Sequence, residues 1–231
     1  MDGFLLIDKP VGPTSHDIVD LVRKAASLKR VGHSGTLDPL ASGLLILALG
    51  ASTKQLSHFL GAAKSYQAEL TLGASSTTDD AEGVKTILSD REPLGAEIEQ
   101  ILVQFRGRLE QTPPVYSAVK RGGQKSYLVA RRGGSLELMP RRVEVYDLQL
   151  LSYRYPRLTL SAHVSPGTYL RALARDLGQR LSTGAYLSAL RRIRIGEVSV
   201  EEAITVRELR GNWIRKILKY EDLAPRVEQI G

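Results

Sequence analysis

The sequence lacks cysteine altogether, and this absence excludes several kinds of site. Without cysteine there are no disulfide bonds, no thiolate nucleophile and no zinc centre built on thiolates. The four histidines do not fall at an H-x-x-x-H spacing, so we expect no metal site. No hydrophobic run approaches the roughly 20 residues that a membrane-spanning helix needs. Because Met1 leads directly into an apolar segment without a signal peptide, we expect a cytoplasmic protein without membrane attachment.

Acidic residues are fewer than basic ones, which gives a formal net charge of +7. Such a charge indicates a polyanionic partner, because each Lys or Arg placed on a phosphate releases a counterion. The segment 117–142 concentrates this charge, and Glu137 is its single acid. Its basic residues are Lys120, Arg121, Lys125, Arg131, Arg132, Arg141 and Arg142. Charge alone leaves open that this segment is only a solvated basic face.

Apolar periodicity along the chain mixes strands and helices. Apolar runs and alternation predict strands over residues 3–8, 44–49, 66–72 and 158–164, and strand and turn over 189–200. Helical spacing predicts a helix capped by Ser15 and further helices over 53–60, 98–105, 170–181 and 206–218. The polar run GASSTTDDAEG, residues 73–83, is typical of an exposed loop. Because no regular βαβ rhythm is present, we expect an α+β fold with a mixed, largely antiparallel sheet flanked by helices.

Asp38 stands out in the stretch VGHSGTLDPLASGLLILALG, residues 31–50. An Asp before a Pro most often caps a turn, and this interpretation stays open. The flanking glycines and leucines also suit a carboxylate in an apolar wall at the lip of a sheet. A single carboxylate there fits a nucleophile at a sugar or base carbon. It does not fit a glycoside hydrolase, which needs a matched second acid.

Three other residues have both a structural and a functional interpretation. Tyr66 is either a core aromatic or a stacking platform for a base. Arg171 is either a surface arginine paired with Asp176 or Glu197, or a guanidinium that orients a catalytic carboxylate. His33 is either a loop histidine or a wedge that fills the gap left by a flipped nucleotide.

Five motifs together resemble one known family, the TruB family of bacterial tRNA pseudouridine-55 synthases. The stretch GHSGTLDPLASGLL resembles its active-site motif, and GFLLIDKPVGPTSHDIV resembles its N-terminal motif. The stretches KSYQAELTLG, VSPGTYLRALARDLG and LSALRRIRIG resemble three further motifs in the same order. The resemblance covers about residues 3–200, and it implies the pseudouridine synthase fold with a thumb-like basic insertion at 117–142. The implied catalytic domain is 1–221, with a C-terminal tail at 222–231.

The resemblance also implies a reaction and a set of roles. The reaction isomerises uridine 55 in the T-loop of tRNA to pseudouridine and needs no cofactor. Asp38 would attack the flipped uridine, and Arg171 would pair with Asp38. Tyr66 would stack on the uracil and take part in proton removal at C5. The remaining substrate-binding residues would be His33, Tyr169, Leu190 and Lys9, and the seven basic residues of 117–142 would grip the T-arm of the tRNA.

The C-terminal part of the chain departs from the usual family pattern. The family usually carries a small RNA-binding domain of the PUA type, and only about thirty residues follow Val200 here. We therefore expect this domain to be absent or truncated, and tRNA binding to be weaker.

Two alternatives stay open beside the stand-alone enzyme, which we expect to be a monomer. One is the guide-RNA-dependent archaeal and eukaryotic relative, which lacks the basic insertion. The other is an RNA-binding protein or RNA chaperone without catalysis. We expect no guide RNA, because the insertion is present in this sequence.

Overall fold

The structure is a computed structural model that describes residues 1–116, 120–121, 124–125 and 138–227. It divides into two compact units. The first unit comprises residues 1–67 and those from 190 onward, and the second comprises residues 68–189. The division falls within two strands, β4 (Lys64–Leu72) and β12 (Ala185–Ile195).

The first unit is built on a mixed sheet with the strand order β14-β1-β3-β12. Strand β1 (Gly3–Lys9) runs antiparallel to β3 (Ala41–Leu49), and β3 runs parallel to β12. The other pairings place the short strands β2 (Val31–His33) on β3, β13 (Val198–Ser199) on β12 and β14 (Ile204–Thr205) on β1. Helices α1 (Ser15–Ala26) and α2 (Leu56–Leu60) complete the N-terminal part of the unit.

Both faces of β1 and β3 are buried. Phe4 and Leu6 pack with Phe59 in one apolar cluster, whereas Leu5 and Ile7 pack in another with helix α1 and Trp213. Successive side chains of a strand point to opposite faces, so a strand covered on both sides needs apolar residues throughout. This explains why these two strands are continuous apolar runs in the sequence rather than alternating ones.

Three local expectations for the first unit were wrong. The cap of α1 is Thr14, with Asp17 as its capping-box partner, and Ser15 is the first helical residue. The helix expected over 53–60 is a 3₁₀ turn, Gly50–Gln55, followed by the short α2. The helix expected over 206–218 is two 3₁₀ turns, Val206–Arg210 and Trp213–Lys216. The two turns are separated at Gly211, a residue type with a poor helix propensity.

Residues 220–227 pack within the first unit. Helix α5 (Tyr220–Leu223) leads into a final 3₁₀ turn, Ala224–Val227. Leu223 and Val227 are fully buried in the apolar cluster that contains Phe4. The part of the expected tail up to Val227 therefore belongs to the core, because its apolar side chains cover one face of the sheet.

The second unit has the strand order β12-β4-β11-β10-β7. The long hairpin of β10 (Arg141–Arg154) and β11 (Arg157–Val164) is antiparallel, and β7 (Gly107–Gln111) pairs antiparallel with β10. Helices α3 (Gly95–Gln104) and α4 (Leu170–Arg180) each bury one apolar face, which includes Ile98, Leu102 and Leu173. Two small hairpins complete the described part, β5 (Ala74–Ser76) with β6 (Lys85–Ile87) and β8 (Lys120–Arg121) with β9 (Gln124–Lys125). The expected α+β class with a mixed, largely antiparallel sheet is confirmed.

Candidate active site

Asp38 lies in the turn between β2 and β3 of the first unit, and its side chain is half-buried. The turn is fixed by backbone hydrogen bonds after the aspartate. The N–H of Ala41 donates to the carbonyl oxygen of Asp38 at 3.0 Å, and the N–H of Gly12 donates to that of Pro39 at 2.8 Å. The backbone that carries Asp38 is therefore held in place by hydrogen bonds.

Lys9 is a fully buried cation whose charge interacts with Asp38. Its ammonium donates to the carbonyl oxygens of Pro13 at 2.7 Å and Pro10 at 3.0 Å. Burial lowers the pKa of Lys9, while the negative charge of Asp38 acts to raise it. The substrate-binding role that the family resemblance implies for Lys9 stays a prediction.

Arg192 is a second buried cation of the first unit, and the sequence interpretation did not single it out as a site residue. It is 1% exposed, and its guanidinium donates to the carbonyl oxygen of Leu44 at 2.8 Å and to that of Gly35 at 3.2 Å. These bonds tie β12 to β3 and to the segment that leads to Asp38. The sequence did contain one indication of its position. Residues two apart in a strand lie on the same face, so Arg192 lies on the same face of β12 as the candidate site residue Leu190.

Tyr66 and Lys64 lie on one face of β4, and both are buried. The ammonium of Lys64 donates to the carbonyl oxygens of Ala62 at 2.6 Å and Leu60 at 3.1 Å. Burial, followed by the charge of Arg192, lowers the pKa of Lys64 to about 8. Tyr66 is 7% exposed, and its stacking on a base stays a prediction.

His33 and Leu190 occupy strand positions in the first unit. His33 ends β2 and is half-buried, and burial followed by the charge of Arg192 lowers its pKa. Because the pKa falls from its ordinary value of 6.5, the imidazole is neutral at pH 7. Leu190 is half-buried opposite Ala41 in the parallel register of β12 and β3.

Arg171 in the second unit is buried, and its partner there is Asp80. The guanidinium Nη1 of Arg171 lies 3.3 Å from Oδ2 of Asp80, and Nη2 donates to the carbonyl oxygen of Tyr116 at 2.9 Å. Oδ1 of Asp80 accepts from the hydroxyl of Thr78 and from the N–H of Glu82. These donors stabilise the carboxylate of Asp80 in its buried position, where an unpaired charge would be costly. The pairing of Arg171 with Asp38 stays a prediction.

The position of Asp80 corrects two expectations. The run of residues 73–83, expected to be an exposed loop, contains strand β5, and Asp80 is 2% exposed. The surface interpretation of Arg171 is also wrong, because its side chain is buried and Asp176 is instead paired with Arg175 at 2.9 Å. Sequence reasoning missed Asp80, because a run of small polar residues gives no sign of burial.

Tyr169 lies directly before helix α4, two residues from Arg171. Side chains from strands β7 and β10 contact this residue. The side-chain amide of Gln111 donates to the carbonyl oxygen of Tyr169 at 3.1 Å and accepts from its N–H at 2.8 Å. The guanidinium of Arg141 lies 4.5 Å from the centre of the Tyr169 ring, a distance that suits a cation–π contact.

The basic residues expected to grip RNA are only partly described by the structure. Arg142 is exposed and Arg141 half-buried at the start of β10, while Lys120, Arg121 and Lys125 belong to β8 and β9. Arg131 and Arg132 lie outside the described residues. Within the part of the chain that the structure describes, no group of His, Asp or Glu side chains could hold a metal ion. None of its helices is long and apolar enough to cross a membrane.

Comparisons with known proteins give consistent matches along the chain. A family model described as TruB family pseudouridylate synthase (N terminal domain) matches residues 23–170. A second, described as tRNA pseudouridylate synthase B C-terminal domain, matches residues 171–225. A curated relative from Syntrophotalea carbinolica, named tRNA pseudouridine synthase B, is 42% identical over 89% of this chain and 68% of its own. A relative of the same name from Aquifex aeolicus is 41% identical over 90% of this chain and 73% of its own.

Two solved structures have a fold similar to that of this chain. A chain of a Cbf5-Nop10-Gar1 complex is 31% identical with a TM-score of 0.73, over 93% of this chain and 55% of its own. A chain of an H/ACA RNP bound to a substrate RNA containing 2′-deoxyuridine is 27% identical with a TM-score of 0.73. It is matched over 97% of this chain and 61% of its own length. The chain thus spans less than two thirds of these structures.

Proposed function

Because the chain belongs to the TruB family of pseudouridylate synthases, we propose that it isomerises uridine 55 in the T-loop of tRNA to pseudouridine, with Asp38 as the nucleophile. The family and the curated relatives support tRNA pseudouridylation as the activity. The observation that carries the assignment of Asp38 is its half-buried position in a turn held by backbone hydrogen bonds, within electrostatic reach of the buried cation Lys9. A nearby positive charge favours the ionised, nucleophilic form of a carboxylate.

The reaction rearranges one nucleotide without adding or removing atoms. The N1–C1′ bond breaks, a C5–C1′ bond forms, the proton on C5 leaves and N1 gains a proton. No electrons are transferred to another molecule, so the balance requires neither a redox carrier nor a metal. The carboxylate of Asp38 would bond to C1′ as the N1–C1′ bond breaks, and this ester bond would break again when C5 bonds to C1′. Water must be excluded during this step, because it would hydrolyse the cleaved intermediate.

The other site residues would bind and orient the flipped nucleotide. Tyr66 would stack on the uracil and assist proton removal at C5, and Leu190 and Tyr169 would line the pocket. Arg171 would orient Asp38, with Asp80 fixing the guanidinium through the pair at 3.3 Å. His33, neutral at pH 7, would occupy the space vacated in the RNA loop, where an uncharged ring costs less to desolvate than a charged one.

The partner would be the T-arm of tRNA, bound without a guide RNA by a monomer. The net charge of +7 and the exposed Arg142 suit a phosphate backbone. The curated relatives named for tRNA are 41–42% identical, compared with 31% for the chain of the Cbf5-Nop10-Gar1 complex and 27% for the chain of the H/ACA RNP. This difference favours the stand-alone enzyme over the guide-dependent one.

The experiment is tritium release from a tRNA transcript labelled at C5 of uridine, with the purified chain as the only macromolecule added. Release would be followed by mapping of the modified position in the product. We expect one tritium released per tRNA, mapped to uridine 55. Release from another position would contradict the specificity. Tight RNA binding without release would favour the non-catalytic RNA-binding alternative.

A further inference from the structure

Ser15 is a buried residue that contacts the turn carrying Asp38. It is 2% exposed at the start of α1, and its hydroxyl makes two hydrogen bonds to Leu37. The N–H of Leu37 donates to Oγ at 2.8 Å, and Oγ donates to the carbonyl oxygen of Leu37 at 3.1 Å. That carbonyl belongs to the peptide bond that joins Leu37 to Asp38. One side chain therefore holds both polar groups of the residue before the acid.

We propose that Ser15 is a positioning residue for Asp38, acting through the backbone of Leu37. This inference rests on the proposed function of Asp38 as the nucleophile. Capping of α1 does not require the Ser15 hydroxyl, because Thr14 and Asp17 form the capping box of that helix. The bonds from Ser15 thus serve the turn, 22 residues further along the chain, rather than the helix that contains it.

The hydrogen bonds between Ser15 and Leu37 restrain the backbone on the N-terminal side of Asp38. After the acid, the backbone is held by the bonds to the carbonyl oxygens of Asp38 and Pro39, and earlier in the turn Arg192 holds Gly35. Without the hydroxyl, the buried N–H and C=O of Leu37 would lose these partners, and the peptide plane before Asp38 could change its orientation through the adjoining backbone dihedrals. A displacement of about 1 Å at a reacting group can cost about 100-fold in rate.

The test compares Ser15→Ala and Ser15→Cys with Thr14→Ala. The first two remove or weaken the hydrogen bonds to Leu37, and the cysteine variant keeps the size of the side chain. The matched control Thr14→Ala removes the helix cap in the neighbouring residue and leaves the Ser15 hydroxyl in place. For each variant we would measure the single-turnover rate of tritium release, the dissociation constant for tRNA, and the unfolding midpoint.

We expect both Ser15 variants to release tritium about 10- to 100-fold more slowly, with a dissociation constant for tRNA within twofold of the wild type. Thr14→Ala should lower the unfolding midpoint and keep the wild-type rate. A wild-type rate in folded Ser15→Cys, or an equal loss of rate in Thr14→Ala, would overturn the proposal.

Asp38→Asn is measured alongside, so that the two claims can fail separately. An inactive Asp38→Asn together with fully active Ser15 variants would overturn the positioning role alone. An active Asp38→Asn would overturn the proposed nucleophile, and with it the role of Ser15.

Discussion

Lys64 is a buried cation, so its contribution to stability depends on pH. Burial and the neighbouring charge of Arg192 lower its pKa from 10.5 in water to about 8 in the folded protein. The folded protein therefore binds this proton more weakly than the unfolded chain does. At neutral pH the charge of Lys64 favours unfolding, and this effect disappears as the pH rises through the pKa of the unfolded chain.

The size and the sign of the effect follow from the two pKa values. Between about pH 8 and pH 10.5 the unfolded chain carries more of this proton than the folded protein, so the free energy of unfolding increases with pH. Each unit of pKa difference corresponds to about 1.4 kcal/mol. The contribution of Lys64 should therefore grow by about 2 kcal/mol between pH 8 and pH 10.

The assay is urea unfolding at several pH values, followed by the fluorescence of Trp213. This is the only tryptophan of the sequence, and it is buried in the same unit as Lys64. Lys64→Met removes the titrating group, and Lys54→Met, at an exposed lysine of the same unit, is the matched control.

We expect the wild type and Lys54→Met to gain about 2 kcal/mol more than Lys64→Met between pH 8 and pH 10. The difference between proteins isolates Lys64 from tyrosines and other lysines that titrate in the same range. Parallel curves for the wild type and Lys64→Met would refute the assignment of a lowered pKa to this lysine.

Three further predictions concern other parts of the molecule. Gln111→Leu should slow single-turnover tritium release about 10-fold with unchanged tRNA affinity, because both bonds to the Tyr169 backbone are lost; an unchanged rate would contradict this. Leu223→Ala should lower the free energy of unfolding by about 2 to 5 kcal/mol in the fluorescence assay, and a loss well below this range would mean that the C-terminal segment is not core. Arg142→Ala should flatten the slope of log affinity for tRNA against log salt by about one unit, whereas an unchanged slope would return Arg142 to the solvated surface.

The sequence was most informative where a pattern repeats or a motif is long. The five motifs led to the family, and the comparisons confirm it. Strands β1, β3, β4 and β11 follow from apolar runs or alternation, because burial of one or both faces requires these patterns. The helix over 170–180 was likewise predicted from its apolar spacing, to within a residue.

The features that the sequence did not reveal depend on partners far away in the chain. Asp80 lies in a polar run, and its burial depends on Arg171, 91 residues later. Arg192 follows Arg191 and precedes Arg194 in a basic stretch that is typical of a solvated surface, yet it donates to Leu44, 148 residues earlier. A charged residue is buried only when the fold supplies its partners, and local composition does not contain that information.

The irregular C-terminal segment was misjudged for a different reason. Residues 206–218 have apolar residues at helical spacing, but Gly211 interrupts the segment and Trp213 packs into the core. Packing therefore decided the local structure over the helical pattern.

The most direct test of Asp38 as the nucleophile compares the wild type with Asp38→Asn in single-turnover tritium release, with tRNA binding measured on the same samples. We expect Asp38→Asn to bind tRNA with the affinity of the wild type and to release no tritium. Release by Asp38→Asn at a rate near that of the wild type would show that Asp38 is not the nucleophile.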